Sequence, residues 1–143
     1  MRIRKAVIPA AGFGTRFLPV TKSQPKEMLP VVDKPLIQYC VEEAVQSGIR
    51  NIAIIISSGK SSLQDYFRRS YKLERFLADK KKHDLLDEVR RISSLAELCY
   101  IRQKKALGLG HAILMAEKYI GQEPFAVLLP DNVFDCATPC IKQ

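Results

Sequence analysis

The chain of 143 residues is 47% hydrophobic, which is typical of one globular domain and excludes an intrinsically disordered protein. No apolar run approaches the roughly 18 residues of a membrane span or the pattern of a signal sequence, so we expect a cytoplasmic protein with no membrane partner. The net charge is +8, but acidic residues flank the basic clusters at 80–82 and 90–91, and no Phe, Tyr or Trp interleaves with these two clusters. We therefore expect solvated helix faces rather than a nucleic-acid surface.

Short apolar segments alternate along the chain with segments whose apolar residues recur at helical spacing. We predict strands at residues 5–10, 51–56, 98–101 and 125–129, and helices at residues 36–45, 60–70, 72–95 and 110–119. This alternation is typical of βαβ units and predicts an α/β domain over residues 1–143 with a mostly parallel sheet. The second strand is apolar throughout, which indicates a sheet covered on both faces.

The connection between the first strand and the first helix, residues 11–34, is longer than most loops of compact domains, and loops of that length are commonly functional. Gly12 and Gly14 can adopt positive φ and let backbone N–H groups approach an anion. Arg16 offers a planar fork to phosphate oxygens, and Lys26 offers a compact positive charge. We therefore interpret this connection as a phosphate-binding loop, and call it the phosphate loop.

Two other phosphate-binding motifs fit the chain less well. A dinucleotide-binding fingerprint would need a third glycine where Phe17 stands. Gly59, Lys60 and Ser61 resemble the end of a Walker A motif, but the first glycine of that motif would fall on Ile54, inside a predicted strand. We interpret this second segment as a plain helix start after a strand.

The cysteines give no sign of a disulfide framework or a metal site. None of them belongs to a CxxC pair, and neither histidine of the chain has ligand spacing to them. We expect buried, reduced thiols at Cys40, Cys99, Cys136 and Cys140. His111 stands at the start of a predicted helix after two glycines, and we expect it to pack or cap rather than to take part in catalysis.

Several segments together resemble the sugar-1-phosphate nucleotidylyltransferase family. The matching segments, at matching spacing over essentially the whole chain, are residues 10–16, 25–39, 102–103, 107–112 and 123–127. The resemblance implies a Rossmann-like nucleotidyltransferase fold. It also implies a truncated one, because the sugar-binding half of the family lies beyond this point. Thr138 and Pro139 predict a new helix shortly before the last residue, which also favours a fragment.

The resemblance assigns roles to named residues. Arg16 and Lys26 would contact the triphosphate and carry catalysis, and Asp131 would bind Mg²⁺ near the α-phosphate. Gln103 would read the uracil edge with Gly108 beside the base, a task that suits an amide because it both donates and accepts. The remaining nucleotide-binding positions are Ala10, Ala11, Gly12, Gly14, Thr15 and Glu27. Many relatives carry a second aspartate where this chain has Asn132, which leaves the role of a second acid open.

The reaction implied by the resemblance is nucleotidyl transfer from UTP to glucose 1-phosphate, giving UDP-glucose and pyrophosphate. UTP and a sugar 1-phosphate are then the partners, and the full-length protein is a candidate homo-oligomer. We expect the chain alone to be inactive while binding nucleotide weakly. Two alternatives stay open: a thymidylyltransferase acting on dTTP and glucose 1-phosphate, and a nucleotide-binding module without turnover.

Overall fold

The computed structural model describes residues 2–143, and a parallel sheet forms its centre. The strands of the chain are β1 (Lys5–Ala10), β2 (Pro30–Val31), β3 (Lys34–Pro35), β4 (Asn51–Ile56), β5 (Glu97–Arg102) and β6 (Phe125–Val127). Four of them form the main sheet in the order β5-β4-β1-β6, with every neighbouring pair parallel. The α/β architecture with a parallel sheet, predicted from the alternation of elements, is confirmed.

Helices cover both faces of this sheet. They are α1 (Leu36–Gln46), α2 (Ser61–Phe67), α3 (Tyr71–Asp79), α4 (His83–Ser93), α5 (Leu109–Leu114) and α6 (Glu117–Ile120). The adjacent residues Ile54 and Ile55 enter different clusters, the first with Ile37 of α1 and the second with Ala112 of α5. An apolar residue on each face of β4 is therefore buried, as its continuous apolar run indicated. No helix within residues 2–143 is long and apolar enough to cross a bilayer.

The predicted helix over residues 72–95 is wrong in one respect, because the structure divides it into α3 and α4. Lys81 takes the left-handed conformation with φ 54°, and the Lys82 N–H donates to the Leu77 carbonyl at 2.9 Å. This is a Schellman motif with lysine where glycine is usual, so no glycine marked the break in the sequence.

Four other predicted elements also differ from the structure in their bounds. The helix expected over residues 110–119 is two short helices, α5 and α6, and the helix expected to 70 ends at Phe67. The strand expected to residue 129 ends at Val127 because the chain turns away there, with the Asn132 N–H donating to the Leu129 carbonyl. The helix expected after Pro139 is a single 3₁₀ turn, Cys140–Lys142.

The phosphate loop is more ordered than its sequence indicated. It contains three single 3₁₀ turns, Thr15–Phe17, Val20–Lys22 and Lys26–Met28, followed by the two-stranded hairpin of β2 and β3. The Thr21 Oγ1 donates to the Gly14 carbonyl at 2.7 Å and joins the first of these turns to the second. Local hydrogen bonds therefore give this long connection a defined shape.

The cysteines are all free thiols, but the expected burial holds for only part of the set. Cys40 is buried in α1 and burial raises the pKa of its thiol, while Cys99 is half-buried in β5. Cys136 and Cys140 are exposed near the last 3₁₀ turn, so the expectation of buried thiols is wrong for these two. Both thiols lie in the segment after β6, where Ile141 packs against the core and most other residues from 131 to 143 are exposed.

Candidate active site

A cavity of about 410 Å³ opens at the carboxyl ends of the sheet strands. We call it the cleft, and the sequence-predicted site residues that line it are Ala11, Gly12, Lys26, Gln103, Gly108 and Asp131. They come from the segments that follow β1, β5 and β6, whose carboxyl ends meet at one edge of the sheet. Open parallel sheets bind their ligands at this edge.

The remaining predicted site residues do not line the cleft. Ala10 is the buried last residue of β1, and Glu27 is buried beneath the phosphate loop. Gly14 directly precedes the first 3₁₀ turn, which contains Thr15 and Arg16. Arg16 is exposed and takes part in none of the ion pairs found within residues 2–143.

The two glycines of the phosphate loop have different environments. Gly14 is left-handed with φ 63°, and a Cβ built on it would lie 3.0 Å from the Thr21 Cγ2 and 3.2 Å from the Lys26 Cβ. Gly12 has no atom within 4 Å of such a Cβ and lines the cleft. Gly14 thus permits the fold of the loop, whereas Gly12 leaves backbone open to a ligand.

Lys26 and Asp131 face each other across the cleft. The Lys26 Nζ lies 3.3 Å from the Asp131 Oδ2, and the side chain of Asp131 is partly exposed. Asn132 lies on the other side of the chain, where it lines a separate cavity with Glu43 and Phe134. Of the adjacent Asp-Asn pair, only the aspartate therefore belongs to the cleft.

Gln103 is 6% exposed, and its amide nitrogen is already hydrogen-bonded within the protein. Its Nε2 donates to the Gly108 carbonyl at 3.4 Å and lies 2.8 Å from the Nδ1 of His111. A carbonyl can only accept, so the amide nitrogen faces this side, and the His111 Nδ1 accepts a second hydrogen bond from it in the tautomer that carries its hydrogen at Nε2. The Oε1 is left as an acceptor for a ligand. His111 was expected to pack or cap, and the structure adds that it contacts the residue expected to read the base.

Lys60 is a residue that sequence reasoning missed. It is 8% exposed, and its Nζ donates to the Ala10 carbonyl and, at 3.0 Å, to the Glu27 Oε2. Burial lowers the pKa of this ammonium, and the adjacent carboxylate of Glu27 opposes that shift. A helix does begin at Ser61, as predicted, but nothing local indicated a buried lysine. The one feature of the sequence that could have indicated a functional lysine was its position shortly after the carboxyl end of β4.

Comparison with known proteins places the chain in a family. The family model described as Nucleotidyl transferase matches residues 5–138. The chain is 59% identical over 142 residues to the UTP–glucose-1-phosphate uridylyltransferase YngB of Bacillus subtilis. This match covers 99% of the present chain and 48% of that protein. Two solved structures from Acinetobacter baumannii are also similar. One is a UDP-glucose pyrophosphorylase (48% identity, TM-score 0.91, 96% of this chain and 49% of that one). The other is a UTP-bound UGPase (50% identity, TM-score 0.90, 95% and 48%).

A thymidylyltransferase is a more distant match. A putative glucose-1-phosphate thymidylyltransferase from Bacillus anthracis is 27% identical with a TM-score of 0.67, over 93% of this chain and 46% of that one. The chain thus spans about half the length of the relatives it matches.

Proposed function

Because the chain belongs to the nucleotidyl transferase family, we propose that the protein containing it transfers a uridylyl group from UTP to glucose 1-phosphate. The observation that carries the proposal is the convergence of Lys26, Gln103 and Asp131 on one cleft from three distant segments. The similar proteins named for UTP and glucose 1-phosphate support the same substrates. The chain supplies a nucleotide-binding half, and we propose that the sugar is bound by residues beyond it.

The proposed reaction needs charge stabilisation more than proton transfer. A phosphate oxygen of glucose 1-phosphate forms a bond to the α-phosphorus of UTP, and the bond to the bridging oxygen breaks as pyrophosphate leaves with its electron pair. A phosphate monoester has a second pKa of about 6, so the attacking oxygen is largely anionic at neutral pH. Lys26 in the cleft and the exposed Arg16 of the phosphate loop are suited to hold the triphosphate and spread the charge of the leaving group.

Asp131 is the residue that would hold Mg²⁺. Its partly exposed carboxylate lines the cleft, and no group of three or more His, Cys, Asp or Glu in the described part of the chain could form a complete protein cage. Mg²⁺ usually binds through one or two carboxylates, several waters and the phosphates of the substrate, so a single exposed carboxylate fits it. When bound there, the ion neutralises negative charge on phosphate oxygens. Lys26 would then exchange its contact with Asp131 for a phosphate.

Gln103 is suited to select the base. With its nitrogen engaged by Gly108 and His111, its Oε1 can accept the N3–H of uracil. Cytosine has no hydrogen at N3, so the same acceptor would repel it. Thymine carries the same N3–H as uracil, and this contact does not separate UTP from dTTP. The much higher identity to uridylyltransferases favours UTP over the thymidylyl alternative.

The direct test is product formation by the protein expressed from its complete reading frame. We expect UDP-glucose and pyrophosphate from UTP, glucose 1-phosphate and Mg²⁺, with a lower kcat/KM for dTTP and little turnover of CTP. Arg16→Ala and Lys26→Ala should each lower turnover about 100-fold or more. Near-normal turnover of both variants would refute these roles, and UTP binding without any product would favour a nucleotide-binding module.

Four further properties are part of the proposal. We expect residues 1–143 alone to bind UTP weakly without turnover, which calorimetry and a pyrophosphate assay can measure. A cytoplasmic location fits the free thiols, and a homo-oligomer fits the exposed apolar side chains of α3 and α4. We expect no nucleic-acid or membrane partner, because the basic side chains near α3 and α4 are paired with carboxylates. Arg69 and Arg90 pair with Glu74, and Arg91 pairs with Glu42 and Glu88.

A further inference from the structure

We propose that Lys60 and Glu27 form a buried tether that positions Lys26 in the cleft. The tether consists of the Lys60 ammonium, the Glu27 carboxylate and the carbonyl of Ala10. This inference rests on the proposed function, because it assigns Lys60 a positioning role in that reaction. Lys60 itself lies outside the cleft, so it acts through the residues that it holds.

The tether joins three parts of the chain that are separate in sequence. Lys60 precedes α2, Ala10 ends β1, and Glu27 lies in the 3₁₀ turn Lys26–Met28. Ala10 is followed directly by cleft residues of the phosphate loop, and Glu27 directly follows Lys26. One ammonium group therefore fixes the distance between the start of the phosphate loop and its catalytic lysine.

The turn that carries Lys26 has few other polar anchors. Its own hydrogen bonds are local: the Met28 N–H donates to the Pro25 carbonyl and the Leu29 N–H to the Lys26 carbonyl. Glu27 is 1% exposed, its Oε1 has no hydrogen-bond partner within the described residues, and its Oε2 is held by Lys60. Without Lys60 the Glu27 carboxylate would be buried and unpaired. It would move toward water and carry Lys26 with it.

The inference predicts a kinetic effect that passes through Lys26. Lys60→Met in the protein expressed from its complete reading frame should lower kcat about 10- to 100-fold, the scale expected for a catalytic group displaced by about 1 Å. The KM for glucose 1-phosphate should stay nearly unchanged. In a Lys26→Ala background the same substitution should have little further effect, because the group that it positions is gone. Equal effects of Lys60→Met in both backgrounds would overturn the inference.

Two further variants separate positioning from folding. Lys60→Met combined with Glu27→Met removes both charges, so it leaves no unpaired charge if the single variant fails to fold. It should fold and still lose kcat. Lys72→Met, at an exposed position of α3 that does not line the cleft, is the matched lysine control and should keep the activity of the unaltered protein.

Amide hydrogen exchange gives a readout that does not depend on activity. Lys60→Met should speed amide exchange at residues 26–29 and leave the exchange of β4 unchanged. If the unaltered protein forms UDP-glucose and the variant keeps its kcat, the inference fails while the proposed function stands. If the unaltered protein forms none, the proposed function fails, and the exchange rates decide the tether: unchanged rates at residues 26–29 overturn it.

Discussion

Gly14→Ala should destabilise the protein through two separable effects at one position. The backbone is left-handed there, with φ 63° and ψ 38°, which costs an L-residue about 1–2 kcal/mol. The new Cβ would also lie 3.0 Å from the Thr21 Cγ2 and 3.2 Å from the Lys26 Cβ. Both contacts are close to the main chain, so relief requires the backbone to move, and overpacking of this kind costs about 1–3 kcal/mol.

The expected net loss of stability follows from these two costs and from the effect of the substitution on the unfolded chain. Alanine restricts the unfolded state more than glycine does, which returns about 0.4–1 kcal/mol. The free energy of unfolding of Gly14→Ala should therefore fall by roughly 1–5 kcal/mol, as measured by urea denaturation. Since one of the displaced groups is Lys26, the turnover proposed for the full-length protein should fall as well.

Two other glycines are matched controls for the two effects. Gly48, which follows α1, has φ 86° and nothing within 4 Å of an added Cβ. Gly48→Ala should therefore show the left-handed cost of about 1–2 kcal/mol less the same return of about 0.4–1 kcal/mol from the unfolded chain. Gly12 has neither a positive φ nor a close neighbour, so Gly12→Ala should show only that return and raise the free energy of unfolding by about 0.4–1 kcal/mol. If Gly14→Ala is no more destabilising than Gly48→Ala, the contacts with Thr21 and Lys26 do not resist a side chain and the reasoning is refuted.

Three more predictions address the core, the charge network and the base contact. Ile54→Ala removes a fully buried side chain of β4 and should lower the free energy of unfolding by about 2–5 kcal/mol, whereas exposed Leu85→Ala should change it by less than about 0.5 kcal/mol in the same urea titration. The hydrogen bond from Arg69, with one from Arg90, lowers the pKa of Glu74 from 4.5 to about 2. The pairing of Glu74 with the two arginines thus stabilises the folded protein above pH 4.5, and this stabilisation is lost as the pH falls toward 2. The Tm of Glu74→Gln should therefore fall less than that of the unaltered protein between pH 4.5 and pH 2. His111→Ala should free the amide of Gln103 to rotate and should narrow the preference for UTP over CTP in kcat/KM; an unchanged preference would show that His111 does not orient the amide.

Elements with strong local patterns were predictable. The apolar run of β4 indicated a strand buried on both faces, and the structure confirms it because residues on both faces of β4 enter core clusters. The helical spacing that begins at Leu36 predicted α1 to within one residue of its observed end. The break between α3 and α4 was not predictable from glycine or proline, because Lys81 takes the left-handed position itself.

The candidate site was predictable partly from residue type and partly from the family resemblance. Gly12 and Lys26 were expected to bind phosphate because of their residue types, and the resemblance added Gln103 and Asp131. The structure brings all four to one cleft. Their contacts were not readable from the chain, because each is made between segments far apart in sequence. The 3.3 Å approach of Lys26 to Asp131, for example, requires β1 and β6 to be neighbours.

The sequence by itself determined the alternating elements, the parallel sheet and the set of phosphate-binding residue types, since periodicity and side-chain chemistry are local properties. Only the tertiary structure decided which groups Lys60 contacts. The segment Gly59-Lys60-Ser61 could by its sequence end a Walker A motif or start a helix, and its lysine is buried against Ala10 and Glu27. A buried charge takes its role from the partners that desolvate and pair with it, and those partners are defined by the fold.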